Sequence, residues 1–198
     1  MIFKKYFLEI KQKKLVESLK LQPLIVVIRL ENNFFTIAEN AEKLFLKIDK
    51  LSKLGIKHIE IAWDPNPEWI HLISEIKHNF KSINLGIASI SSIQSLNSIL
   101  PLDLNYSMSQ YFKKEIHLNA IKNNQLLIPG ISNLKNFNEA INLGYKIIKI
   151  FPASKLGIDF LRKLKKFKKD DIFFIGAGGM KSSDLNKSLG NGYNALAI

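Results

Sequence analysis

Short apolar runs alternate with longer amphipathic segments along most of the chain. The apolar runs are rich in isoleucine and too short for ordinary helices, which is typical of strands buried in a parallel sheet. The pattern predicts strands at residues 24–30, 58–63, 83–89, 104–109, 126–132, 146–151, 171–178 and 195–198. One intervening segment carries Ile37, Ala41, Leu44 and Ile48 at helical spacing before a glycine stop at Gly55. Strands that alternate with helices in this way predict right-handed βαβ units.

Eight predicted strands are the number that closes a (β/α)8 barrel. We therefore predict an α/β fold of the TIM-barrel type, with the barrel over residues 23–198 and an N-terminal helix over 1–22. Phe3, Phe7 and Ile10 fall at helical spacing, which predicts an amphipathic helix packed on the barrel. No linker is evident, so one domain over 1–198 is expected. The sequence stops at Ile198, so we expect either a truncated chain or a barrel that closes without its last helix.

The net charge of +12 raises the possibility of nucleic-acid binding. The lysines, however, are scattered along the whole chain, and Arg29 and Arg162 are the only arginines. Arginine is the side chain best suited to bind phosphates and base edges. We therefore predict no nucleic-acid partner.

The composition also narrows the chemistry and the location. There is no cysteine, which excludes disulfides and thiolate nucleophiles, and the four histidines show no metal-ligand spacing. No apolar run approaches the roughly 20 residues that span a bilayer. The N-terminal segment contains Glu9 and Glu17 and lacks a small-residue cleavage site, unlike a targeting peptide. We expect a cytoplasmic protein with no membrane partner, no metal and no other cofactor.

Three predicted strands carry a charged residue near the C-terminal end: Arg29, Glu60 and Lys149. Barrel enzymes place their active sites at this end, and strand alternation allows the three side chains to converge there. A lysine in an apolar site beside an arginine tends to lose its proton and become an amine nucleophile. A carboxylate can transfer protons, and an arginine can bind a substrate carboxylate. The alternative is that each charge faces the helices in a structural ion pair.

The segments VVIRLEN, GIKHIEIAW, LLIPGIS, IIKIFPAS and IGAGGM occur in this order along the chain. In order and spacing they resemble the 2-keto-3-deoxy-6-phosphogluconate (KDPG) aldolase / 4-hydroxy-2-oxoglutarate (KHG) aldolase family, over about residues 15–198. The resemblance implies a metal-independent class I aldolase with a (β/α)8 barrel, assembled as a homotrimer. Such an enzyme cleaves a 2-keto-4-hydroxy acid to pyruvate and an aldehyde. By the same resemblance Lys149 forms the Schiff base, Glu60 is the general acid and base, and Arg29 binds substrate.

Four further residues are candidates for substrate binding. Ser89 stands where the family has a threonine at the end of the third strand. The turn at Gly178 and Gly179 can offer backbone N–H groups to a phosphate, although tight loops need glycine anyway. Pro129 brings the backbone close to a ligand or bends the barrel rim. The expected substrate is a small 2-keto acid, with or without a phosphate group.

Two departures from the family pattern affect the substrate and the activity. Asp64 stands where the family has an arginine that helps to hold substrate, and Ala177 replaces a threonine. A carboxylate near an anionic ligand repels it unless Asp64 points away. A different 2-keto acid as substrate, or weakened catalysis, is therefore expected. Two alternatives stay open: a sugar-phosphate isomerase or epimerase, and a catalytically impaired, aldolase-like binding protein.

Overall fold

The computed structural model describes residues 2–167 and 171–198, and within these ranges the chain forms nine strands and eight α-helices. The strands are β1 (Leu24–Ile28), β2 (His58–Ala62), β3 (Asn84–Ile90), β4 (Tyr106–Ser109), β5 (Leu127–Ile128), β6 (Gly130–Ile131), β7 (Ile147–Ile150), β8 (Phe173–Ala177) and β9 (Ala195–Ala197). The helices are α1 (Ile2–Leu21), α2 (Glu39–Lys53), α3 (Trp69–Asn79), α4 (Ile93–Ile99), α5 (Lys114–Lys122), α6 (Leu134–Asn142), α7 (Ala153–Phe167) and α8 (Leu185–Gly190). Every predicted strand is present, while Ile37, predicted on a helix face, lies before α2 and is exposed.

All nine strands are parallel and form one sheet in the order β5-β4-β3-β2-β1-β9-β8-β7-β6. Because β1 pairs with both β2 and β9, the first and last strands of the chain are neighbours. The sheet thus curves into a nearly closed barrel, which confirms the predicted α/β fold of the TIM-barrel type.

The predicted fifth strand is broken into two pieces at Pro129. The first piece, β5, pairs with β4, and the second piece, β6, pairs with β7. A proline has no N–H to donate to a strand ladder, so a continuous strand cannot run through this position. The break places the closure of the barrel at Pro129, where the Lys149 N–H donates to the proline carbonyl at 3.0 Å.

Helix α1 lies across the N-terminal end of the barrel. Its buried face consists of Leu8, Gln12, Leu15 and Leu19. The Gln12 Oε1 accepts the N–H of Lys146 at 2.7 Å, and its Nε2 donates to the Gly144 carbonyl at 3.1 Å. The amide side chain thereby satisfies backbone groups that β7 leaves unpaired where it begins.

The face of α1 predicted from the sequence is wrong. Phe7 is 40% exposed and Ile10 is only partly buried, while the side chain of Phe3 lies outside the described residues. The buried face includes Gln12. Because this residue is polar, the hydrophobic periodicity of the sequence does not reveal the face. None of the helices within the described ranges has the length and apolar character that crossing a membrane requires.

Candidate active site

A cavity of about 320 Å³ opens at the C-terminal ends of the strands. The structure brings Arg29, Glu60 and Lys149 together in its wall, although they belong to three separate segments of the chain. The remaining lining residues are Val27, Ala88, Ser89, Gln110, Phe151, Ala177, Gly178, Gly179, Met180, Ala197 and Ile198. The three charged side chains therefore face the barrel interior and not the surrounding helices.

Lys149 lies in the middle of β7 and is only 5% exposed. Its Nζ atom lies 5.2 Å from the centroid of the Phe151 ring, close enough for a cation–π interaction. Burial lowers the pKa of Lys149 to about 8; Glu60 acts in the opposite direction, and Arg29 lowers it further. A substantial fraction of this amine is therefore neutral near physiological pH, unlike a surface lysine.

Glu60 lies in the middle of β2 and is 2% exposed, and its Oε1 atom has no hydrogen-bond partner. Burial raises the pKa of Glu60 to about 7, against the lowering effects of Lys149 and Arg29. A carboxyl group with this pKa can both accept and donate a proton at neutral pH. None of the ion pairs between described residues joins Glu60 to Lys149, and both side chains line the same cavity.

Arg29 follows directly after β1 and is exposed at the mouth of the cavity. None of the ion pairs in the described part of the chain involves its guanidinium group. Its charge nevertheless acts on both buried groups, because it lowers the pKa of Glu60 and of Lys149. The geometry suits a group that binds an anion entering the cavity.

Ser89 lines the cavity from β3 and has a backbone φ of 68°. This left-handed conformation is unusual for a residue other than glycine. The pairing between β3 and β4 shifts its register between Ile87 and Ile90, so Ser89 sits in a bulge. Bulges redirect side chains, and this one orients Ser89 at the cavity wall.

Gly178 and Gly179 form the turn that follows β8, with φ values of 87° and 73°. A Cβ atom at Gly179 would lie within contact distance of the Ser154 side chain, at the start of α7. Both positions therefore require glycine, and their backbone forms one side of the cavity. Pro129, by contrast, is buried and is not among the residues that line the cavity.

Asp64 does not line the cavity either. Its Oδ1 atom accepts the N–H of Asn66 at 2.8 Å, which stabilises the turn after β2. The preceding residue, Trp63, also lies outside the cavity lining and donates from Nε1 to the Ser98 hydroxyl at 2.9 Å. The repulsion expected of an aspartate in the site therefore has no basis in its position.

Sequence reasoning missed two polar residues of this region. Gln110 follows β4 and lines the cavity, and Tyr106 begins β4 with its hydroxyl buried and unpartnered. The interior glycine of β3, Gly86, was the available signal for Tyr106, because a glycine inside a strand often marks a close approach by another group. The described residues contain no group of three or more His, Cys, Asp or Glu side chains placed to hold a metal ion.

The chain is similar to known proteins in sequence and in fold. Residues 15–197 match the family model for KDPG and KHG aldolases. The KDPG aldolase of Legionella pneumophila, solved with pyruvate captured as a covalent carbinolamine intermediate, is 20% identical with a TM-score of 0.77, covering 88% of this chain and 81% of that one. The KDPG aldolase of Zymomonas mobilis is 19% identical with a TM-score of 0.77, covering 92% and 85%.

A third similar structure is the N-acetylmannosamine-6-phosphate 2-epimerase of Clostridium perfringens, at 17% identity and a TM-score of 0.69, covering 93% of this chain and 88% of that one. No curated protein matches the chain in sequence. Structural likeness at such identities establishes the fold, whereas the family model covers nearly all of the sequence. The chain therefore belongs to the KDPG and KHG aldolase family.

Proposed function

We propose that this protein is a class I aldolase that cleaves a 2-keto-4-hydroxy acid, such as KDPG or KHG, to pyruvate and an aldehyde. The observation that carries the proposal is the Lys149 amine, which is buried in the cavity, has a lowered pKa and forms no ion pair with Glu60. A surface lysine would be protonated and unreactive, and a lysine paired with a carboxylate would be held away from substrate.

The reaction begins when the neutral Lys149 amine adds to the keto carbon at C2. Loss of water from the resulting carbinolamine gives an iminium ion. Glu60, as carboxylate, then accepts the proton of the C4 hydroxyl, while the C3–C4 bond breaks and its electron pair moves into the iminium. The aldehyde leaves, and an enamine of pyruvate remains on Lys149. Protonation at C3 by the Glu60 carboxylic acid and hydrolysis of the iminium release pyruvate.

The other cavity residues bind the substrate in this proposal. Arg29 binds the substrate carboxylate at the mouth, and Ser89 offers a hydroxyl from β3. Gly178 and Gly179 offer backbone N–H groups to a phosphate or to a second carboxylate. Pro129 acts indirectly, by fixing the backbone of Lys149 through its carbonyl group. On the family resemblance we also propose a cytoplasmic homotrimer.

Borohydride trapping tests the proposal directly. Protein incubated with pyruvate and borohydride should gain one reduced pyruvyl adduct, and peptide mapping should place it on Lys149. Lys149→Arg is the matched control, because arginine keeps a positive charge but cannot form this imine. Absence of the adduct, or an adduct spread over surface lysines, would refute the aldolase assignment.

A sugar-phosphate epimerase is the second candidate, because the barrel also resembles the Clostridium perfringens epimerase. That reaction would use Lys149 and Glu60 for proton transfer without a covalent imine. An impaired aldolase-like binding protein would instead form the imine but release no aldehyde. Borohydride trapping distinguishes the epimerase from the aldolase. Aldehyde release from KDPG or KHG distinguishes the impaired binding protein from the aldolase.

A further inference from the structure

Tyr106 lies at the same level of the barrel as Glu60. In the strand pairing, Glu60 of β2 is opposite Gly86 of β3, and Gly86 is in turn opposite Tyr106 of β4. Residues paired in this way point to the same side of a sheet, so both side chains face the barrel interior. Only a residue without a side chain separates them.

The tyrosine ring lies over that glycine. A Cβ atom at Gly86 would be 2.5 Å from the Cζ atom of Tyr106 and 2.9 Å from its hydroxyl oxygen. Neighbouring strands are about 4.8 Å apart. The hydroxyl has therefore crossed from β4 to the middle of β3, and the next strand in this direction is β2, which carries Glu60.

Both groups are buried and lack a partner. Tyr106 is 0% exposed, and neither its hydroxyl nor the Oε1 atom of Glu60 makes a hydrogen bond within the described residues. Buried polar groups without a partner are rare, and each one requires an explanation. The two groups also interact electrostatically: besides burial, the charge of Glu60 raises the pKa of Tyr106.

We propose that Tyr106 is a positioning residue for Glu60: its hydroxyl donates a hydrogen bond to the Glu60 carboxylate and orients it toward a substrate bound to Lys149. This inference rests on the proposed function. The bond forms when Glu60 is ionised, because a carboxylate is the stronger acceptor. Tyr106 itself gives up no proton.

The bond has a predictable effect on proton transfer. A donor that binds the ionised form of a carboxyl group lowers its pKa. The cations that lower the pKa of Glu60 are Lys149 on β7 and Arg29 after β1, and Glu60 in turn raises the pKa of Tyr106 on β4. Removal of the Tyr106 hydroxyl leaves the two cations in place. Only the contribution of this hydrogen bond to the pKa of Glu60 is then lost.

The test follows proton exchange at the methyl group of pyruvate. In D₂O, the iminium on Lys149 loses a C3 proton to Glu60, becomes an enamine and takes up deuterium, and NMR measures the rate. Tyr106→Phe should slow the exchange about tenfold at neutral pH. It should also move the acidic limb of the pH–rate profile upward by about one pH unit, the size expected for one hydrogen bond to a charged group.

Tyr193→Phe is the matched control. Tyr193 is also buried, its hydroxyl also lacks a partner, and its ring also packs beside a glycine, Gly176. It does not line the cavity, and burial is the cause of its raised pKa. This substitution should leave the acidic limb where it is in the wild-type protein.

Borohydride trapping on the same proteins separates the inference from the function on which it rests. All three proteins should form the Lys149 adduct with pyruvate. Failure of the wild-type protein to form it would overturn the proposed function and the role of Tyr106 with it. A trapped adduct with an unshifted acidic limb in Tyr106→Phe, or an equal shift in Tyr193→Phe, would overturn the role of Tyr106 alone.

Discussion

Two sets of buried polar side chains lie side by side in this barrel. One set is hydrogen-bonded throughout, and the other contains polar atoms without a partner. The His117 network consists of Tyr145, His117 and Ser109, in which the His117 ring lies within hydrogen-bond distance of both other side chains. The Glu60 cluster consists of Glu60, Tyr106 and Lys149; its glutamate Oε1 and tyrosine hydroxyl have no partner. Both sets are almost completely excluded from water.

The His117 network can satisfy every one of its groups in a single arrangement. The Tyr145 hydroxyl donates to His117 Nδ1 at 3.0 Å, and Nε2–H donates to the Ser109 hydroxyl at 3.2 Å. Ser109 also accepts the Gly130 N–H at 3.0 Å and donates to the Ile128 carbonyl at 3.3 Å. This assignment fixes the Nε2–H tautomer, because the reverse direction leaves the Tyr145 proton without an acceptor.

The difference in hydrogen bonding distinguishes side chains that stabilise the fold from side chains that serve the site. A fully bonded network stabilises the barrel where β5 and β6 meet, and burial lowers the pKa of His117 to about 3, which keeps it neutral. Unpartnered groups in an equally buried place raise the free energy of the folded state, and such groups are typical of sites that await a ligand. Substitutions in the two sets should therefore act on different quantities.

The largest expected effect is that of Lys149→Met, which replaces the buried amine with an apolar side chain of similar length. Turnover should fall at least about a thousandfold, because no imine can form. The free energy of unfolding should rise by about 1 kcal/mol, since a poorly solvated ammonium group is removed. Urea denaturation and aldehyde release measure the two effects; a destabilised Lys149→Met protein would contradict this view of the Glu60 cluster.

Glu60→Gln should reduce pyruvate proton exchange about 10²- to 10⁴-fold, the usual contribution of a general base. Trapping at Lys149 should persist. The raised pKa of Glu60 means that the folded protein holds a proton that the unfolded chain loses between about pH 4.5 and 7. The contribution of Glu60 to the free energy of unfolding of the wild-type protein therefore falls as the pH rises through that interval. The free energy of unfolding of Glu60→Gln should increase relative to wild type over the same interval. A pH-independent difference in urea midpoints would argue against the assignment.

His117→Leu should act in the opposite way, by lowering the free energy of unfolding by about 1–3 kcal/mol while trapping at Lys149 persists. The lowered pKa of His117 means that the unfolded chain gains a proton between about pH 6.5 and 3 that the folded protein does not accept. Wild-type stability is thus lost as the pH falls through this window, and the gap between wild type and variant should narrow there. Tyr145→Phe serves as the milder companion variant, and loss of trapping in both would tie the network to catalysis.

The smallest expected effect is that of Asp64→Asn. An asparagine Oδ1 can still accept the Asn66 N–H, and residue 64 does not line the cavity. Trapping rates with pyruvate should stay within about twofold of wild type, as expected for a substitution outside the site. A marked increase in the rate would show that the aspartate repels anionic ligands after all.

Much of this fold could be predicted from the sequence, because its strands are short isoleucine-rich runs that alternate regularly with amphipathic helices. The lysine in IIKIF was conspicuous for the same reason, and the charges on two other strands then indicated where the site lies. The break at Pro129 was less evident, since the flanking residues still alternate as in one strand. The buried face of α1 was predicted wrongly because Gln12 interrupts it.

Other features depend on strand register, which no local pattern contains. Tyr106 reads as an ordinary aromatic residue of a strand until Gly86 and Glu60 are known to lie beside it. The His117 network joins helix α5, the end of β4 and Tyr145, which lies 28 positions after the histidine in the chain. Its members are unremarkable one by one, and only their distances reveal the shared role.

The close packing of Tyr106 over Gly86 also constrains the order in which this barrel could have evolved. Any side chain at position 86 would collide with the ring, so tyrosine at 106 could become fixed only after glycine already stood at 86. Replacement of Gly86 is blocked even after a change of Tyr106 to phenylalanine. The ring carbons Cζ and Cε2, which lie 2.5 and 2.6 Å from a Cβ atom built at position 86, would remain in phenylalanine. Lineages that replace the tyrosine by phenylalanine should therefore still carry the glycine, because the ring alone requires it.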